Sequence, residues 1–185
     1  MPDTTFTRQE LIGRGREPPA VNQVELHPAF PNEAVLRACA RHGVGVQAYS
    51  PLGCGELLCD ARVLRAAVLA DGALGVGAHT CTPAQALLRG ARSRGGGELV
   101  VSALPRSRDA ARIAENHAAA RAEPLALPAE AEAELAKISG RKICWDPAGV
   151  KCRLAVNRYC REHVSPRSHA TIDVSDVLSS IRVYV

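Results

Sequence analysis

Apolar and polar positions along the chain fall into two rhythms, and they alternate. Three short apolar runs read as strands: Ala20 to Leu26, Val44 to Ala48, and Glu98 to Leu104. Each ends in a residue that stops a ladder or starts a turn: His27-Pro28, Tyr49-Ser50-Pro51, and Pro105, which has no N–H to give. Between and after them the apolar spacing is helical. Asn32 caps a predicted helix from Glu33 to about Arg41 carrying Val35, Leu36 and Cys39, with Gly43 at the usual C′ place. Asp60 opens a helix to about Ala70, with Val63, Leu64, Ala67 and Leu69 apolar. Thr82-Pro83-Ala84-Gln85 is a full start signal, a Thr cap, Pro at the first helical position and Gln three residues on, for a helix ending near Gly95. Asp109 or Ser107 caps a helix to about Arg121, and a last helix follows Pro128 to about Ile138. Thr7 to Gly13 has the spacing of a short capped helix.

Strands alternating with helices predict an α/β fold, a parallel sheet of about three βα units with helices outside and C-terminal helices after them. Composition allows it: 185 residues, 46% hydrophobic and 23% charged, is enough for one domain with a core. The net charge of +4 calls for no nucleic-acid partner. No apolar run is long enough to predict a membrane span, and MPDTTFTRQE lacks the apolar region of a signal peptide, so a cytoplasmic protein is expected. Seven cysteines without a CxxC pair or zinc spacing are expected as reduced thiols, with Cys39 and Cys81 small buried residues and no metal. Gly75-Val76-Gly77 lacks the preceding strand and third glycine of a dinucleotide fingerprint.

The candidate chemistry lies in VSALPRSRDAARIAEN, Val101 to Asn116. A strand, a polar turn and a helix start make a place for an anion, because the first helical turn has unpaired N–H groups and a positive dipole end. Arg106, Arg108 and Arg112 add cations suited to phosphate, and Ser107 adds a hydroxyl. Glu115 and Asn116, one turn past Arg112, share its face and suit a polar ring or sugar. The plainer reading of the same stretch is a solvated, arginine-rich surface.

PAVNQVELHP (Pro19 to Pro28), AYSPLG (Ala48 to Gly53) and LPRSRDAARIAEN (Leu104 to Asn116) occur in that order. Together they resemble the C-terminal half of the aldo-keto reductases, NADP(H)-dependent (β/α)8 barrels, over roughly residues 18 to 147. The resemblance implies a partial TIM-type barrel that is not closed, with an N-terminal remnant at 1–18, a half-barrel at 19–147 and a basic tail at 148–185. It implies Gln23 on the nicotinamide carboxamide, Tyr49 stacked on the nicotinamide, and Ser50 and Leu52 at the pyrophosphate. Arg106, Ser107, Arg112, Glu115 and Asn116 would take the adenosine and its 2′-phosphate.

The chain also departs from the family pattern. Asp109 stands where a neutral hydroxyl is common, Cys54 where a serine is, and the connection through Gly95-Gly96-Gly97 is longer. The family's catalytic Asp, Tyr, Lys and His have no counterpart here, so no catalytic residue is assigned. His27 reads as structural. Trp145 either lines a substrate pocket or packs on the helices, and Tyr159 falls outside any family context. Three readings follow: a truncated NADPH-dependent reductase of aldehydes and ketones, needing its other half for a carbonyl substrate; a non-catalytic NADP(H)-binding or regulatory module; or an inactive fragment. Open sheet edges would favour self-association.

Overall fold

The computed structural model describes residues 19–72, 81–122, 126–140 and 142–143. The expectations for Thr7 to Gly13, Gly75 to Gly77, Trp145, Tyr159 and the 148–185 tail lie outside them.

Among the described residues the elements run β1 (Val21–Glu25), α1 (Glu33–Arg41), β2 (Gly45–Tyr49), a 3₁₀ segment (Gly53–Cys59), α2 (Ala61–Gly72), α3 (Pro83–Ser93), β3 (Val101–Leu104), α4 (Ala110–Ala120) and α5 (Ala129–Ala136). The strands form one parallel sheet in the order β1-β2-β3. The predicted α/β fold, an open piece of a (β/α) barrel, is what the chain adopts.

Several starts obey their local signals. Thr82 Oγ1 accepts the Gln85 N–H and Gln85 Oε1 accepts the Thr82 N–H, the reciprocal box that the sequence predicts. Gly43 takes φ 64° after α1, the left-handed turn that favours glycine. Asn32 is different. It precedes α1 at φ 51° but makes no side-chain cap; its amide donates instead to the Glu25 carbonyl at 3.0 Å. β3 is also shorter than its apolar run. Gly96 and Gly97 both have positive φ, and the Leu99 N–H returns to the Gly95 carbonyl, so pairing begins at Val46 with Val101.

Side chains alternate across the sheet. Val24, Val46, Ala48 and Val101 join Leu36 and Cys39 of α1 in one buried cluster. A second cluster joins α2, α3 and α5 through Val63, Ala66, Leu87, Ala131 and Leu135. The opposite sheet face carries Val21, Gln23 and Glu25 beside Gly45, Gln47 and Tyr49, then Ser102 and Leu104. That face is wet along the middle row, with Gln23 and Ser102 exposed.

Candidate functional site

Register decides where the candidate residues meet. Glu25 pairs with Tyr49, and Tyr49 with Leu104, so all three strands end at one level. The turns that follow them leave the sheet from the same end, the end where parallel α/β sheets carry ligands.

After β2 the chain makes an unusual turn. Ser50 sits at φ 52° and Cys54 at φ 54°, left-handed conformations that non-glycine residues seldom hold without support. The Ser50 carbonyl accepts the Gly53 N–H at 2.8 Å, and the Leu52 carbonyl accepts the Gly55 N–H at 3.0 Å. A Cβ on Gly53 would sit 2.7 Å from Leu57 Cγ, so only glycine fits. The Leu52 side chain packs on the second core cluster, which leaves its backbone for any ligand. The segment after Leu52, Gly53–Cys59, is a 3₁₀ helix kinked at Cys54 and Gly55. Cys54 and Cys59 are disulfide-bonded, which corrects the expectation of reduced thiols throughout. Cys39 and Cys81 are free and at least half-buried, and burial pushes the Cys81 thiol up despite the Arg89 cation beside it.

On the wet sheet face, Gln23 Nε2 donates to Gln47 Oε1 at 3.0 Å. None of the three motifs contains Gln47; its place two residues before Tyr49 puts it on that face. Burial, and then the Glu25 carboxylate, raise the Tyr49 phenol above its ordinary value. Its proton stays on through the neutral range.

The other half of the candidate site starts α4. Asp109 is its N-cap, the Oδ1 accepting the Arg112 N–H at 3.0 Å. Ser107 Oγ accepts the Asp109 N–H at 3.1 Å and so shapes the turn before the cap. Arg106 and Arg108 are exposed on that turn, and Arg112 is half-buried. Glu115 is tied to α3 through its carbonyl, which accepts Gln85 Nε2 at 3.1 Å. Ser107 and Asn116 line one groove of about 560 Å³ beside β3, with Ile113, Val100 and His117. The structure thus brings Ser107 and Asn116 together and sets Arg106 at the groove's end of the sheet. Gln23 and Tyr49 are not among the residues that line it; they lie on β1 and β2, on the sheet face that carries Gln47. Among the described residues no cluster of three His, Cys, Asp or Glu could hold a metal.

The curated relatives share this chain's sequence over limited spans. An aldo-keto reductase of Mycolicibacterium vanbaalenii is 47% identical over 81 residues, 43% of this chain and 25% of that protein. A D/L-glyceraldehyde reductase of Hypocrea jecorina is 33% identical over 159 residues, 83% of this chain and 44% of its own. The chain is homologous to part of an aldo-keto reductase. It spans less than half the length of these two relatives. No family profile matches it. Among solved aldo-keto reductases, a mutant of Gox0644 in complex with NADPH superposes with a TM-score of 0.59 at 27% identity, covering 80% of this chain and 49% of that one. The aldose reductase of Giardia lamblia gives 0.59 at 26% identity, covering 76% and 44%.

As an aldo-keto reductase relative, the chain holds two features that its motifs do not announce. One is Gln47. The other is Glu25, buried with His27, whose Nε2 lies 3.0 Å from Glu25 Oε1. A carboxylate inside the apolar run VNQVELHP is the available signal for it.

Proposed function

We propose that this chain is the cofactor-holding half of an NADP(H)-dependent carbonyl reductase, corresponding to the family's C-terminal half. The common level of the three strand ends carries the reading, because it sends the Ser50 turn and the α4 start out of the sheet on one side. Arg106 and Arg112, with Ser107, hold the 2′-phosphate; Glu115 and Asn116 meet the adenosine. Ser50 and the Leu52 backbone meet the pyrophosphate, Tyr49 stacks on the nicotinamide, and Gln23 reads its carboxamide. The residues fit such a ligand: exposed guanidinium groups stand beside a capped helix start, and a groove runs on from it. Asp109 opposes it, since its carboxylate already takes the Arg112 N–H and repels a 2′-phosphate. The bound cofactor supplies hydride. Gln23 must turn its amide from Gln47 to reach it.

No residue here is assigned as the proton donor. A phenol raised above its ordinary value is a poor acid at neutral pH, so Tyr49 orients and does not protonate. The chain alone therefore binds without turning over, and a carbonyl substrate enters only when the other half of the barrel is present. The same observation favours a second reading, a non-catalytic NADP(H)-binding module. Copies associate through the open sheet. A cytoplasmic setting belongs to the reading, and the disulfide-bonded Cys54 and Cys59 count against it.

The test is an NADPH fluorescence titration of the chain and of the double variant Arg106→Ala/Arg112→Ala. Without its two guanidinium hydrogen-bond donors, the variant should bind about a hundredfold more weakly, or worse. Equal affinity in the two proteins sinks the pocket assignment. Turnover of a reactive aldehyde by the chain alone sinks the division of labour.

A further inference from the structure

Glu25 and His27 are fully buried at the end of β1, and the proposed function uses neither. Glu25 Oε1 is shared. It lies 3.0 Å from His27 Nε2 and accepts the backbone N–H of Ile143 at 2.6 Å, across 118 residues of sequence. Ile143 reaches the turn after β2: its Cδ1 stands 3.1 Å from where a Gly53 Cβ would be, and its side chain packs against the cluster that holds Leu57. An unbroken path of touching groups therefore runs from the buried carboxylate through Ile143 to the Gly53–Cys59 segment.

We infer that Glu25 is a positioning residue for the pyrophosphate turn, acting through Ile143 and fixed in place by His27. The inference rests on the proposed cofactor site and adds a residue that touches no cofactor.

The turn is strained at Ser50 and Cys54, and such a conformation persists only where its surroundings over-determine it. Ile143 is one of the groups that do so, because it and Leu57 close over Gly53. Ile143 in turn is held by a backbone hydrogen bond to a carboxylate, a stronger acceptor than an amide oxygen. Removing that acceptor leaves Ile143 free to withdraw, and the turn loses the side chain that pins Gly53. Glu25 is also the partner of Tyr49 in register, and its carboxylate adds to burial in raising that phenol.

Two ligands separate this from simple destabilisation. NADPH uses the turn after β2 and the α4 start; adenosine 2′-monophosphate, which has no 5′-phosphate, uses the α4 start alone. Glu25→Leu should weaken NADPH by about tenfold while leaving the 2′-monophosphate within about twofold, since sites with no shared partners act independently. Glu25→Gln keeps an oxygen for the Ile143 N–H and should restore most of the NADPH affinity. Ile143→Ala cuts the same path without touching the buried pair and should repeat the Leu result, which keeps the test open if Glu25→Leu does not fold. NADPH affinity unchanged in both Glu25→Leu and Ile143→Ala overturns the inference. So does a parallel loss of both ligands, or a Gln variant as weak as the Leu variant. Failure of the wild-type chain to bind the 2′-monophosphate is a different result: it removes the cofactor site, and the role of Glu25 with it.

Discussion

Asp109 shows how one residue serves two demands. The sequence offers it both as a cap of the following helix and as a charge where the family commonly has a neutral hydroxyl. In the structure it is the cap of α4, and the Arg112 N–H depends on it. Serine caps nearly as well as aspartate, so Asp109→Ser should hold stability to within about 0.5 kcal/mol, whereas Asp109→Ala should lose about 1 kcal/mol in urea unfolding. Removing one like charge near the 2′-phosphate is worth about 1 kcal/mol in water, so Asp109→Ser should raise the NADPH-to-NADH affinity ratio about fivefold. An unchanged ratio in paired titrations would show that the 2′-phosphate does not sit there. Side chains that bond within three residues, such as Thr82 with Gln85, are legible in the sequence. Asn32 is not, because the Glu25 carbonyl, seven residues back, draws its amide away from its own helix.

At the scale of elements, α2 carries a pH dependence at its start. Asp60 accepts the Arg62 backbone N–H at 2.9 Å and the Arg62 guanidinium at 2.9 and 2.7 Å. The guanidinium hydrogen bond outweighs burial and holds the carboxyl below its ordinary value. A folded value below the unfolded one means that the unfolded chain binds the proton more readily. The stabilisation is therefore complete above the unfolded value, about 4, and is lost as pH falls through the folded one. Asp60→Asn should lower the urea midpoint at pH 7, and the gap from wild type should narrow as pH falls below about 4. A gap independent of pH would rule out this ion pair as its source. Asp60 is legible as a helix start, since a cap is a local matter. The 3₁₀ segment after β2 is not, because its shape comes from Leu57 and Ile143 closing on Gly53.

At the scale of the molecule, the sheet is half covered. Helix α1 seals one face, while Gln23 and Ser102 on the other meet water. Parallel sheets are ordinarily buried on both faces. Val100 is 77% exposed and Ile113 53%, both beside the groove along β3. Sedimentation at rising concentration should show self-association, and Val100→Lys with Ile113→Lys should weaken it by blunting that edge. A monomer at every concentration would overturn the expectation. The order of three motifs makes the fold class legible. What covers the second face is not legible, because the strands themselves say only that something must. The two solved relatives described above match the chain over 44% and 49% of their own length.

The sulfur chemistry of the turn makes the protein sensitive to its buffer. Cys54 and Cys59 lie in the 3₁₀ segment that follows the proposed pyrophosphate turn, and both are disulfide-bonded. Dithiothreitol, a routine additive in reductase assays, would convert them to thiols and hand the experimenter a different covalent species. Affinities taken with and without it belong to two molecules, and each should be titrated as such.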